Sequence, residues 1–455
     1  MRAITRFTVL TAVFLHYSAG NLAFSIIIPL LTTLPDFLPG IPPSFTEAIF
    51  IFLATVTALA WGIIFDRVRN RKVILVVSSF TWITAAWCLA TVVNSSWQFL
   101  IFRALMGIGL AGLSPFAFAA VGDLAGFEHR GKISSWLSTI GTVSVGMGIL
   151  FSGVLNIIGG WRLPFLLISI SGMLTLVFLL LVPQPRKGAE EPEIRGTDVI
   201  NAYESTYKLE RRDMYRVITT RTNLFILLQG IVALVPSTLF TYWLIAFLED
   251  KQLDGIGLVS LVAIVIGLLF ASGRVIGYPI FGFVGDLAVK YNKKGKGYVA
   301  AVSMLLQGPI FMLAMLMPLQ VFKDGESPGI FEILLEYPEF IVFGLVFFTA
   351  AFIGAGSAPN KTSIMYDVNY PENRSVVQSL YSISDQLGAS AALLLGSMTI
   401  PIFGYRATFF FGASLYLISA FFWILASHFY LYDGERLRDG ILKRTTGLKN
   451  GKTHV

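Results

Sequence analysis

Charge is scarce in this chain: Asp, Glu, Lys and Arg make up 13% of its 455 residues. A soluble domain carries charge at about a quarter of its positions, so a soluble globule is excluded. Cysteine is scarcer still. The lone Cys88 lies in an apolar run, which rules out an intramolecular disulfide. Four histidines (His16, His129, His428, His454) and that cysteine show no metal-ligand spacing, so neither metal nor cofactor is expected. No Ser-His-Asp arrangement or nucleophile elbow stands out, and an enzyme is not expected. "GFEHRGKI" (Gly126 to Ile133) comes close to a phosphate-binding loop, but Ile133 replaces the hydroxyl and no βα context surrounds it.

What fills the chain instead is apolar: 55% hydrophobic and 14% aromatic residues, with a mean hydropathy of +0.72. Several stretches run about twenty residues almost without charge, the length that crosses a hydrocarbon layer of roughly 30 Å. A transmembrane β-barrel needs short alternating segments rather than unbroken runs. An all-α polytopic membrane protein follows. Twelve spans are expected, near 6–33, 45–65, 73–93, 97–122, 132–157, 163–183, 223–248, 257–285, 298–321, 340–366, 375–400 and 405–431. The first has a basic start but is too long for a signal peptide's apolar core.

The net charge of +7 would raise nucleic-acid binding for a soluble protein. Here the cations sit in short segments between spans. Arg67, Arg69, Arg71, Lys72, Arg130, Lys132, Lys290, Lys293, Lys294, Lys296 and Arg374 follow even-numbered spans. The opposite segments hold little beyond Arg162, Lys251, Lys323 and Arg406. The positive-inside rule then puts both termini in the cytoplasm, and no nucleic acid is expected. Between Val182 and Asn223 the composition turns polar, so the domains read as 1–183 and 223–431, six spans each, with a linker over 184–222 and a tail over 432–455. The second part of that linker forms either a surface helix or a disordered stretch.

The two halves repeat. Gly112, Pro115, Asp123 and Arg130 recur, with every spacing kept, as Gly356, Pro359, Asp367 and Arg374, 244 residues later. The same offset carries "GWRLPF" (Gly160 to Phe165) onto "GYRATF" (Gly404 to Phe409). Gly62 and Asp66 recur as Gly282 and Asp286. Copies of six spans face the same way across the membrane, the parallel-repeat arrangement of major facilitator transporters.

The sequence itself resembles that superfamily over nearly its whole length. "GIIFDRVRNRK" (Gly62 to Lys72) looks like the signature between the second and third spans, with Asn70 where glycine is usual. "RALMGIG" (Arg103 to Gly109) looks like the signature of the fourth span. A fainter likeness to the Spinster-like branch is carried by "GIGLAGLSPFAFAAVGDLAGFEHRG" and "GWRLPF". That branch usually has acids in spans one and four, where this chain shows Ala19 or its neighbours and Leu110. The resemblance implies a gate latch made of Gly62, Asp66, Arg67, Arg69, Arg71, Asp123, Arg130, Gly282, Asp286, Asp367 and Arg374. Gly62 lets the second span approach the eleventh closely. Asp66 then faces the amino end of the eleventh span near Arg374, where free N–H groups attract an anion. Asp286 is expected to do the same at the fifth span, near Arg130. The alternative is that these cations only set topology.

Ionisable groups at mid-membrane depth are costly and usually functional. Arg274 lies about 18 Å from Asp286 along its helix, and Asp385 about 16 Å past Arg374, at 1.5 Å per residue. Matched depth makes them candidates for a buried pair or for lining one cavity. Asp385 is the expected carrier of a coupling proton, with Arg274 tuning it or binding an anion; a fixed ion pair that only orients helices is the alternative. Asp385 replaces Gly141 of the first copy, which points to the second half for chemistry. Arg103, level with Asn21, either faces the interior, where the superfamily pattern links it to proton transfer, or snorkels to the interface. His16 either titrates near neutral pH or packs through hydrogen bonds. Gln386 is a further polar point, as are Gln229, Tyr242 and Gln307. The fifth span lacks the Gly-Pro dipeptide of the proton-antiporter signature, so drug efflux is not announced.

The expected activity is secondary transport of a small organic solute, leaning to an anion or zwitterion, by alternating access with protons as a candidate coupling ion. A lysophospholipid or other lipid-like substrate is the first alternative, and a non-transporting membrane sensor on a transporter fold the second. The expected setting is a monomer in the lipid bilayer of the plasma or cell inner membrane.

Overall fold

The computed structural model describes residues 3–449 except 28–29, 31–42, 69, 127–128, 185–186, 188–210, 250–259, 320–331 and 333–334. Among the described residues the chain is helical, without strands. The first copy comprises α1 (Ala3–Ser25), α2 (Pro43–Arg67), α3 (Arg71–Thr91), α4 (Ser96–Leu110), α5 (Leu113–Leu124), α6 (Arg130–Gly159) and α7 (Arg162–Leu181). A short α8 (Arg211–Thr219) follows in the linker, so the helical reading of that stretch holds for these residues. The second copy comprises α9 (Arg221–Glu249), α10 (Ser260–Tyr291), α11 (Gly295–Leu316), α12 (Pro338–Gly354), α13 (Ser357–Val368), a 3-10 turn (Pro371–Asn373) and α14 (Arg374–Lys449).

Ten of these segments, among the described residues, are long and apolar enough to cross a membrane. The two remaining expected spans are helical as well, as α10 and as the part of α14 before Gly404. The fourth and tenth spans are each broken once: α4 gives way to α5, and α12 to α13, just before the repeated glycines Gly112 and Gly356 or at them. α14 is two helices joined at Gly404, whose φ of 78° breaks the helical path. Outward faces are apolar: Leu174, Leu181, Phe283, Leu394 and Met398 are all more than half exposed. Water would make such a surface unsustainable, whereas acyl chains match it.

Contacts repeat as the sequence does. Gly160 and Gly404 both adopt positive φ, 73° and 78°, which glycine alone accepts readily. Two residues on, Arg162 Nη2 donates to Val93 O at 2.6 Å, and Arg406 Nη1 donates to Met317 O at 2.8 Å. Each arginine thus caps the carboxyl end of its copy's third span. A Cβ on Gly112 would lie 2.7 Å from Ser78 Oγ, and one on Gly356 would lie 2.0 Å from Ser303 Oγ. The small residue lets the fourth span of each copy press onto a serine of the third.

By compactness the chain divides into one unit of Met1–Val217, Met365–Ile383 and Gly434–Val455, and another of Ile218–Ile364 and Ser384–Asp433. In the first unit α1 packs on α6 and α7, α3 on α4 and α7, and α2 on α4. In the second, α12 packs on α10 and α11, with α9 against α10. The first unit therefore holds the start of α14 and the turn before it, second-copy residues that dock on first-copy helices.

Candidate functional site

That docking is electrostatic. The carboxylate of Asp66, at the carboxyl end of α2, accepts from Val376 N at 2.7 Å and Ser375 N at 3.2 Å. Both amides belong to the first turn of α14, where N–H groups have no intrahelical partner and the dipole favours an anion. Gly62, one turn earlier, makes the approach possible: a Cβ there would sit 2.3 Å from Ser379 Oγ and 2.8 Å from Ser375 O. The Ser379 hydroxyl donates to Ala58 O at 2.8 Å, fixing the two helices side by side.

Around this contact the repeated charges pair crosswise. Arg374 of the second copy binds Asp123 of the first at 2.9 Å, and Arg130 of the first binds Asp367 of the second at 2.8 Å. Arg71 bridges Asp66 and Asp123 at 3.2 and 2.7 Å. Arg374 and Asp123 are fully buried. The ring of Tyr366 lies beside both guanidinium groups, 5.3 Å from Arg374 and 5.9 Å from Arg130, and its hydroxyl donates to Phe118 O at 2.6 Å. Arg67 is exposed. Arg69 lies outside the described residues. Gly282 is buried and Asp286 half-buried, both in α10 of the second unit.

Sequence reading missed two cations at this cluster. Lys187, six residues beyond α7, is buried and donates from Nζ to Asp66 O at 2.6 Å. Burial and the neighbouring Arg71 guanidinium pull its pKa down to about 8, against the pull of Asp66, Asp123 and Glu372. Arg444, in the last turns of α14, pairs with Glu372 of the 3-10 turn and stacks 4.0 Å over the Tyr370 ring. Neither position falls in a motif, so no spacing signal could have found them.

At mid-span the expected pairing of Arg274 with Asp385 is corrected. Asp385 is held by Lys361 of α13, whose Nζ donates to Oδ1 at 2.7 Å and Oδ2 at 2.9 Å. Arg274 Nη2 donates to Ser237 Oγ at 2.8 Å. Depth alone chose Arg274; the azimuth around α13 brings Lys361 closer. A signal was available, since Lys361 replaces Ala117 of the first copy just as Asp385 replaces Gly141. Gln386 is half-buried beside Asp385.

Arg103 faces the interior. It is fully buried, forks onto both oxygens of Glu47 at 3.1 Å, donates to Phe24 O at 3.1 Å and lies 3.8 Å over the Phe50 ring. Glu47, in the first turns of α2, was not anticipated. Asn21 turns back on its own helix, donating to Tyr17 O at 2.8 Å. His16 takes the packing alternative: Nε2 meets Ser79 Oγ at 2.7 Å and Nδ1 meets Thr175 Oγ1 at 3.1 Å, tying α1 to α3 and α7. No cluster of potential metal ligands occurs among the described residues.

A family model for the Major Facilitator Superfamily matches residues 9–331. The chain is 25% identical over 366 residues to Protein spinster of Drosophila melanogaster, covering 78% of itself and 55% of that protein. It is 29% identical over 182 residues to the sphingosine-1-phosphate transporter SPNS2 of Xenopus tropicalis, covering 39% and 33%. A probable L-galactonate transporter of Escherichia coli (strain K12) is 23% identical over 253 residues, covering 52% and 53%. The chain spans about half the length of the first curated relatives it matches. Among solved structures, the human organic anion transporter MFSD10 (TETRAN) superposes with a TM-score of 0.66 at 16% identity, covering 93% of this chain and all of that one. An identity that low carries the fold alone. With a family match over most of its length, and a repeat legible both in residues and in contacts, this integral multi-pass membrane protein belongs to the Major Facilitator Superfamily.

Proposed function

We propose that the chain is a secondary transporter that moves a small organic solute by alternating access, with the six-span copies 1–183 and 223–431 as the bodies that rock. The observation that carries this reading is the docking of Asp66 on the open amino end of α14. Its donors are backbone amides, present whether or not the carboxylate is there. The contact can therefore break and reform without unfolding either helix, as a gate must. The crosswise pairs Asp123–Arg374 and Arg130–Asp367 join the copies at the same end and break with it. On the positive-inside reading this end is cytoplasmic, together with both termini, in the plasma or cell inner membrane.

An organic anion is the favoured solute. Two relatives are named for anionic solutes, one bearing a carboxylate and one a phosphate. The Spinster relatives favour the second reading, a lipid-like substrate. Coupling to protons, a monomeric state and freedom from cofactors complete the proposal.

The test locks the gate. In a Cys88→Ser background, Ala58→Cys with Ser379→Cys places two thiols across the α2–α14 contact. Uptake of L-galactonate and of sphingosine-1-phosphate is measured in proteoliposomes, with and without a pH gradient. Oxidation should stop transport and reductant should restore it. Undiminished transport by the fully cross-linked protein overturns alternating access at this gate, and absence of uptake for every organic anion tried favours the sensor reading.

A further inference from the structure

We propose that Lys361 is the anion-binding residue of the transport site, and that protonation of Asp385 frees it to take an organic carboxylate or phosphate in exchange. This rests on the transport reading above and names the substrate class of its site.

Four observations carry it. First, the first copy builds its helices without such a pair. It has Ala117 and Gly141 at the matching positions, and a Cβ on Gly141 would sit 3.1 Å from the Tyr17 ring. Apolar and aromatic packing closes there what a charge pair occupies in the second copy. Second, the pair is reachable. The Asp385 side chain is 34% exposed and Lys361 12%, whereas Asp123 and Arg374 are at 0%.

Third, that exposure is not toward lipid. Leu387, Leu394 and Met398 form the exposed apolar stripe of this part of α14. Asp385, two residues before Leu387, is displaced by about 200° around the helix and lies on the opposite side. Fourth, the α9 backbone comes right up to the pair. Gly230 of α9 has no side chain, and a Cβ there would fall 2.5 Å from Asp385 Oδ1 and 3.4 Å from Lys361 Nζ. The neighbouring Ser384 Oγ, 2.7 Å from the same Cβ position, donates to Leu227 O and fixes α14 on α9.

Among the described residues, Lys361 of α13 and the Gly230 backbone of α9 face the carboxylate, with Ser384 and Gln386 beside it on α14. Lys361 supplies the positive charge. With Asp385 ionised, its carboxylate occupies both oxygens' worth of the ammonium's reach. Once Asp385 takes a proton from solvent, it loses its hold on Lys361, and an incoming carboxylate or phosphate replaces it as counter-ion. One proton and one anionic group therefore enter together, and net charge at the site is kept when that group is a carboxylate or a singly protonated phosphate.

The experiment measures binding to the purified full chain in detergent, by the shift in thermal unfolding with L-galactonate and with sphingosine-1-phosphate, against uncharged galactitol as control. Wild-type affinity for one of the anions should strengthen as pH falls. Asp385→Asn should bind that anion about tenfold more tightly and lose the pH dependence. Lys361→Ala should lose binding at every pH. To keep the test independent of folding, Lys361→Ala is also made on Asp385→Asn, which removes the charge of both partners. The galactonate and sphingosine-1-phosphate arms separate a small carboxylate from a lipid phosphate. Equal binding by wild type and both Lys361 variants overturns the assignment, as does equal binding of galactitol. Binding of neither anion by wild type or Asp385→Asn also overturns it, while the cross-linking result still decides the transport reading.

Discussion

Two charge clusters in this chain obey opposite rules. Near Asp66 the repeated charges Asp123 and Arg130 pair crosswise with Arg374 and Asp367 of the other copy, and the innermost pair is sealed from solvent. At mid-span the pair Lys361–Asp385 belongs to one copy alone and stays partly open. Duplication supplies the first: Asp123 and Arg130 recur as Asp367 and Arg374, so each acid finds a base of the other copy to pair with. The second is a departure from that symmetry, and a departure at a membrane depth where charge is costly needs a use.

The sharpest way to break the comparison is stability. Arg374→Ala leaves Asp123 with Arg71 alone in a fully buried setting, and loss of a hydrogen bond to a charged group costs about 1.5–3 kcal/mol. Thermal unfolding should show this plainly. By contrast, replacing both mid-span partners with apolar residues, Lys361→Met with Asp385→Leu, should change stability by only about 1 kcal/mol while abolishing transport. A large loss of stability in the double variant would make the pair structural. Next in size is Gly62→Val, which drives a side chain into Ser379 and the Ser375 carbonyl. It should cut transport by tenfold or more, about 1.4 kcal/mol at the gate, yet leave helix content by circular dichroism intact.

Asp66→Asn keeps the shape but trades a charged acceptor for a neutral one. A charged hydrogen bond is worth about 1.5–3 kcal/mol, so the contact between α2 and α14 should open more often, read as faster hydrogen exchange at Ser375 and Val376. The smallest effect concerns Lys187. Its pKa is about 8 when docked against an ordinary lysine value of 10.5. Between those limits the undocked lysine binds more protons than the docked one, so docking strengthens as pH rises from about 8 to 10.5. The melting temperature should climb across that window, and Lys187→Met should flatten the climb.

How far the sequence reached depended on whether a feature was periodic or repeated. Span positions follow from apolar run length, and the Asp66 contact from the resemblance of "GIIFDRVRNRK" to the superfamily signature between the second and third spans. Gly160 and Gly404 were visible as a repeated dipeptide environment. What stayed hidden was azimuth. Arg274 and Asp385 share a depth, but depth does not say which face of α10 or α14 they occupy. Glu47 and Lys187 lie near helix ends outside any motif, and their partners are more than fifty residues away in the chain. Comparing the copies for positions where they differ would have found Lys361, because its counterpart Ala117 has no charge to lose.

Tyr366 carries one more consequence. It stands where the first copy has Gly122, and a Cβ on Gly122 would sit 2.7 Å from its ring. Two tyrosines would collide at that point and two glycines would leave a hole. An assembly of two identical halves, either of them doubled, cannot close as this chain does, and separately expressed fragments should reunite only as unlike partners.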